Sequence, residues 1–233
     1  MKLKASLLIL TMLAIVAANT VNAQNQQTRS VADFHSISAA GPFNVYVKID
    51  GTESLKISAE SDIIDKIETV VEEGNLKIKF KNHNNWDYEN VGKIDIWVTA
   101  KSLSALKNAG SGNIKVEGEL NGDKVSLSLS GSGDITSKVN SGKLKIALSG
   151  SGSFHIDGKS DDTNISIAGS GEFKGREFKS NTASISIAGS GSVYIAAEKE
   201  LSASIVGSGN VIYSGSASVE TRTVGSGRVS KSE

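Results

Sequence analysis

The sequence predicts an all-β chain wound into a single-stranded parallel β-helix, and three observations carry that reading. The triplet Gly-Ser-Gly begins at residues 110, 131, 150, 169, 189, 207 and 225, with spacings of 21, 19, 19, 20, 18 and 18. A period this regular marks an internal repeat. Beyond every triplet, an apolar residue falls at the same offset: Ile114, Ile135, Phe154, Phe173, Val193, Val211 and Val229. Ahead of the triplets, alternate positions form inward columns: Val125, Leu127, Leu129; Leu144, Ile146, Leu148; Thr163, Ile165, Ile167; Ala183, Ile185, Ile187; Leu201, Ala203, Ile205. Period two means strand, with alternate side chains on opposite faces.

The intervening Ser126, Ser128, Asn164, Ser166, Ser184, Ser186, Ser202 and Ser204 are small and polar and belong to the outer face. Each repeat therefore supplies a strand, a sharp glycine bend and a second short strand. A unit of 18 to 21 residues cannot bury its apolar side alone, so it stacks on its neighbours. Coiling the chain in parallel register, roughly 4.8 Å per turn, stacks identical units and makes the seven turns roughly 34 Å long. A propeller blade takes about 40 residues or more, which the period does not reach. Antiparallel hairpins would not hold two apolar columns in one register through every repeat. The structural bends fall at Gly110, Gly112, Gly131, Gly133, Gly150, Gly152, Gly169, Gly171, Gly189, Gly191, Gly207, Gly209, Gly225 and Gly227, where a corner needs positive φ or close approach of coils.

Residues 24–233 are read as one domain. Residues 24–107 lack the triplet but keep short alternating runs at 43–47, 55–57, 76–80 and 94–98. They read as irregular N-terminal coils of the same solenoid with longer loops. Residues 63–71 read as strand, because Thr69, Val70 and Val71 suit a pleated surface better than a helix. Residues 108–229 are the repeat coils and 230–233 a C-terminal tail. Thr221, Thr223, Arg228, Lys231 and Glu233 put polar groups at the end of the stack, as a cap that discourages further pairing does.

Residues 1–23 read as a cleavable secretory signal: Lys2 and Lys4, an apolar run from Ala5 to Ala18, and Val21, Asn22 and Ala23 before Gln24. That run is shorter than the roughly 18 residues that span a bilayer. After cleavage no integral membrane segment is expected. The chain carries 25 Lys and Arg against 25 Asp and Glu, and losing Lys2 and Lys4 leaves 23 against 25, a balance of −2. With no basic block, the reading includes no nucleic acid partner. The sequence has no Cys, which excludes disulfides, thiolate metal sites and a Cys nucleophile.

The ordering of Gly-Pro-Phe-Asn-Val-Tyr-Val at 41–47, Gly-Asn-Leu-Lys-Ile-Lys at 74–79, Lys-Ile-Asp-Ile-Trp-Val-Thr-Ala at 93–100 and then serial Gly-Ser-Gly resembles the GIN-domain family, whose members are labelled auto-transporter adhesin head domains. The resemblance runs from about Arg29 to Val229. It implies a right-handed parallel β-helix in an exported protein, mostly of Bacteroidetes-type bacteria. The chain departs from a true autotransporter, because nothing after Val229 reads as a translocating barrel.

Several chemistries compete with plain structural roles. Glycine-rich corners can form anion nests, but here the corner geometry itself accounts for glycine. There is no G-x-G-x-x-G, no P-loop and no G-x-S-x-G elbow, and calcium repeats would need an Asp in nearly every turn. His35, His83 and His155 are scattered, so no metal or cofactor is expected. Asp157, Asp161 and Asp162 form the densest acidic cluster in the repeats and read as a solvated loop. Binding is assigned to Asn82, His83, Asn85, Trp86, Asp87 and Tyr88, where amides, a carboxylate and aromatic rings with polar rims form a mixture that holds sugars. The structural alternative is an exposed loop whose Trp86 covers a side or sheet edge.

The expectation is a non-enzymatic, adhesin-like binding module in the periplasm or on the surface of a Gram-negative bacterium. Its partner would be a glycan or an envelope or host surface protein, and an oligomer is compatible with the reading. The alternatives are a carbohydrate-active β-helix enzyme using acids from adjacent coils, and a periplasmic self-associating scaffold.

Overall fold

A computed structural model describes residues 25–81 and 91–232. The N-terminal elements are β1 (Asn25–Arg29), β2 (Ser36–Ala40), β3 (Phe43–Ile49), β4 (Ser54–Ala59), α1 (Ser61–Ile64), β5 (Ile67–Glu72), β6 (Asn75–Phe80), β7 (Ile94–Ala100) and β8 (Ala105–Gly110). Then come five long strands that each run through a coil: β9 (Asn113–Gly131), β10 (Asp134–Gly150), β11 (Ser153–Gly169), β12 (Glu172–Gly189) and β13 (Ser192–Gly207). The last coils are β14 (Asn210–Ser214), β15 (Ser218–Gly225) and β16 (Arg228–Lys231). The result is a parallel β-solenoid of about 7 turns.

Register in the repeats follows the sequence columns. Val125, Leu144, Thr163, Ala183, Leu201 and Val219 face one another in successive coils. Ile114, Ile135, Phe154, Phe173, Val193, Val211 and Val229 do the same on the limb after each triplet. All but the outermost members of these columns are buried. Not every serine points outward. Ser141, Ser160 and Ser180 are buried where one limb turns into the next, and their hydroxyls are satisfied inside. Ser160 donates to the Asp162 carbonyl at 2.9 Å, Ser180 to the Thr182 carbonyl at 2.8 Å, and Ser141 to Ser160 Oγ at 3.2 Å. Here the hydroxyl serves the backbone of the bend, a use that period-two reading does not detect.

The triplet corners stack carbonyl on amide. The Gly131 carbonyl accepts the N–H groups of Ser151 and Gly152 at 3.0 and 3.1 Å, and the Gly150 carbonyl accepts those of Ser170 and Gly171, each at 3.0 Å. An anion nest would need those same N–H groups, so these corners are structural. Gly150 sits at φ +122°, and a Cβ there would run into the Gly131 carbonyl oxygen.

The described residues ahead of the repeat coils are more than further coils in sequence order. β2 lies between β6 and β8, and β3 lies between β7 and β9, all in parallel. The chain thus lays down an inner coil first, then returns to stack the β6 and β7 coil outside it. Three pairings run antiparallel: β1 on β4, β4 on β7, and β5 on β6. The β5–β6 hairpin turns through Glu73 and Gly74, both at positive φ (52° and 71°), as a two-residue type I′ turn requires. Residues 63–71 divide between helix and strand, since Ile63 and Ile64 end the four-residue α1 and the strand starts at Ile67. Both isoleucines are buried over the end of the core. Arg29 locks this end: its guanidinium donates to the carbonyls of Ile64 and Ile67 at 2.9 and 2.6 Å. At the other end, Thr221, Thr223, Arg228 and Lys231 are exposed, and Thr221 and Thr223 stand in register with Ala203 and Ile205. Glu233 and the segment 1–23 read as a signal lie outside the described residues.

A second tie near the N-terminal end is Glu53, which accepts from Lys101 Nζ at 2.6 Å and from the Phe34 N–H at 3.2 Å. The Lys101 hydrogen bond, ahead of the opposing cost of burial, holds the Glu53 carboxyl below its usual range and raises the Lys101 ammonium.

The packing yields two predictions. Gly150→Ala should destabilise the chain by more than about 3 kcal/mol, because both φ and space forbid a side chain. Gly122→Ala, with nothing nearer than 3.9 Å to its Cβ, should be neutral or stabilise by up to about 1 kcal/mol. Thermal melts of the two variants beside the parent would check the pair; equal losses would contradict the corner argument. Because the folded Glu53 pKa is depressed, its contribution is complete above the unfolded value of about 4.3 and fades as pH falls through the lower folded value. Glu53→Gln should therefore lower Tm at neutral pH and converge with the parent at acid pH. A deficit that persists at low pH would mean the carboxylate charge is not the cause.

Candidate binding surface

The limbs that follow the triplets form one continuous outward face, and alternation decides which side chains it presents. Tyr46 lies between the buried Val45 and Val47, and Trp97 between the buried Ile96 and Val98, so both rings project outward. Parallel pairing of β3 with β7 sets Tyr46 opposite Trp97, and the antiparallel β4 sets Lys56 on the other side of Trp97. The rings stack with centroids 5.8 Å apart and planes inclined by 22°. Lys56 Nζ stands 4.6 Å from the Trp97 ring centroid. Both rings remain open to solvent, Tyr46 at 37% and Trp97 at 36%.

Beside the stack runs a ladder of amides and carboxylates, one outward position earlier on each strand. Asn44 donates to Asp95 at 3.3 Å and accepts from Asn113 Nδ2 at 3.3 Å. Asn113 Oδ1 accepts the Asp134 N–H at 2.9 Å, and Asp134 Oδ1 the Ser153 N–H at 3.1 Å. Asp95 is buried and bonded to Lys93 Nζ at 2.8 Å, and that hydrogen bond raises the Lys93 ammonium. Five rungs are thereby fixed side chain to side chain or to backbone before any ligand arrives.

Further along the same face, register slips between Gly175 and Lys179, where Arg176 and Glu177 are extra exposed residues and Phe178 turns inward. Bulges re-aim side chains. Arg176 is carried over Tyr194, with its guanidinium carbon 4.2 Å from the ring centroid. Asp157, Glu172, Lys174, Arg176, Glu177 and Tyr194 line the resulting cleft of about 380 Å³.

The three aspartates grouped by sequence separate in space. Asp157 enters this cleft, Asp161 accepts from Asn181 at 3.0 Å, and Asp162 lines a different groove on the limb before the triplet. Among the described residues, no group of three His, Asp or Glu is placed to hold a metal ion. Asn82, His83, Asn85, Trp86, Asp87 and Tyr88 lie outside the described residues. Sequence reasoning did not single out Tyr46 and Trp97. Their outward positions in two alternating runs were the available signal, but the pairing that brings them together was not.

A family model described as "Putative auto-transporter adhesin, head GIN domain" matches residues 33–217. The chain belongs to this family. Among solved structures it is similar to a "putative adhesin" from Bacteroides fragilis, with 21% identity, TM-score 0.79, and coverage of 89% of this chain and 96% of the other. It is also similar to a "putative lipid binding protein" from Parabacteroides distasonis, with 23% identity, TM-score 0.73 and coverage of 91% and 98%. A "putative adhesin" from the same organism has 24% identity, TM-score 0.72 and coverage of 91% and 98%. At these identities the likeness establishes the shared fold. No protein of curated function matches the sequence significantly.

The stacked pair makes its own prediction. In a Trp86→Phe background, which leaves Trp97 as the single tryptophan, Tyr46→Ala should shift the emission to the red and reduce near-UV ellipticity, while costing only about 1 kcal/mol of stability. Unchanged spectra would mean that the rings do not stack in solution.

Proposed function

We propose that this chain is an exported, non-enzymatic binding module that acts as an adhesin at the bacterial envelope, with the Tyr46–Trp97 face holding a glycan. The stacked, solvent-open ring pair beside the Asn44 and Asn113 amides is the observation that carries this reading. Pyranose rings offer apolar C–H faces and a rim of hydroxyls, and this surface offers ring faces and a row of amide partners. Strands hold both sets rigidly, so binding would cost little ordering of the protein. Membership of a family named for adhesin heads supports the reading, as does the secretory signal read in residues 1–23.

A second reading is favoured by one feature. Asp157, Glu172 and Glu177 share a cleft with Arg176 and Tyr194, and paired carboxylates hydrolyse glycosidic bonds. On that reading purified protein would depolymerise a polysaccharide, and Asp157→Asn or Glu177→Gln would abolish turnover.

The test of the adhesin reading has two arms. Protease shaving of intact cells should remove an internally tagged copy while a periplasmic control survives. On a glycan array, binding should fall about tenfold with Trp97→Ala and further with Tyr46→Ala added. Binding that is indifferent to both changes would sink the assignment of this face, and protection from shaving would sink surface adhesion.

A further inference from the structure

We infer that a second groove, on the limb before the triplet, binds a short stretch of acidic polysaccharide lying along the solenoid axis. The groove, about 620 Å³, is walled by residues of β8, β9, β10, β11 and β12. Five successive rungs make it roughly 19 Å long from first to last, so its shape suits a linear polymer rather than a compact metabolite.

Its charge is uneven. Lys124 and Lys143 occupy equivalent positions in β9 and β10 and stand opposite one another in the parallel ladder. Lys145 projects from the same face of β10, two residues on. Like charges one rung apart repel. Asp162, opposite Lys143, is the one carboxylate in the lining. No ion pair or hydrogen bond holds the three ammonium groups among the described residues, whereas Lys93, Lys101, Lys138 and Lys174 are each paired with a carboxylate. The groove is thus a local excess of positive charge on a nearly neutral rod, and an anionic ligand would relieve the repulsion.

Val125 and Leu144 are 2% and 1% exposed, so the floor is closed and the groove is a trough along the surface. Over β11 and β12 the lining changes to Asp162, Asn164, Thr182 and Ser184, groups that exchange hydrogen bonds with hydroxyls. A uronate- or sulfate-bearing glycan matches both halves, placing its anionic groups over the lysines and its hydroxyls over the polar end. This groove is a different surface from the Tyr46–Trp97 face, so each assignment can fail alone.

Calorimetric titration of the full exported chain with oligogalacturonate and with a sulfated glycan tests the idea. Neutral dextran and phosphatidylglycerol vesicles serve as comparisons. At least one acidic glycan should bind, with affinity that falls as salt rises. Lys124→Gln with Lys143→Gln should weaken it about tenfold. Asp162→Asn should strengthen it. A control exchange of Lys199 and Lys231 for Gln should leave it unchanged. Failure to bind either acidic glycan, an equal loss in the control exchange, or binding to the vesicles alone would overturn the proposal.

Discussion

Everything in this molecule depends on one backbone contact: a glycine carbonyl at each corner accepting N–H groups from the corner one coil later. The contact is possible only because the residue above has no Cβ and sits at positive φ. It fixes where each coil begins relative to the last, and register fixes everything else. With Gly131 over Gly110 and Gly150 over Gly131, Leu127 falls on Leu106, Ile146 on Leu127, and the inward columns of the limb before the triplet close without slip. Outward columns inherit the same register. A side chain's neighbour on the surface is therefore set by glycines several positions away.

A stack built this way has two ends, and the chain treats them differently. At the N-terminal end, antiparallel strands break the parallel register, α1 puts Ile63 and Ile64 over the core, and Arg29 ties carbonyls that would otherwise be left open. A further parallel coil finds no matching edge there. At the C-terminal end, Thr221 and Thr223 extend inward columns of Ala203 and Ile205 with side chains that water can solvate. Threonine keeps the β-favouring branched shape while removing the reason to bury it.

The repeat coils were legible because their signal is local and repeated: an alternation, a glycine pair and a constant offset. The N-terminal third was legible only as strands. Nothing in the run around Tyr46 says that it pairs with the run around Trp97 on one side and with β9 on the other, because that order depends on a chain excursion through β4, α1 and β5. The buried Ser141, Ser160 and Ser180 were hidden for a different reason. They obey the alternation in position but not in polarity, since their hydroxyls replace backbone partners at a bend. The Lys124–Lys143 pair was within reach, as both residues directly precede inward positions of the repeat, yet each looks like an ordinary exposed lysine until the coils are stacked.

Function on such a rod has to be sought in departures from its background. Serine, alanine and asparagine suffice to cover a solenoid, and they fill most outward positions from 126 to 204 on the strand segments just ahead of the triplets. A tryptophan and a tyrosine held outward on adjacent strands bury only part of their surface, so folding alone recovers little of what those rings could contribute. Two lysines one rung apart go further, since their mutual repulsion opposes folding. The departures fall on separate limbs of the same solenoid, one aromatic and amide-lined, the other basic over a closed apolar floor. Because a single register holds both, the distance between them is as fixed as the core, and a polymer touching one face gains nothing from flexibility in the protein. Selectivity for a polymer would then rest on the side chains that make contact and on the match between the ligand's own repeat and the rung spacing, which the glycine corners set.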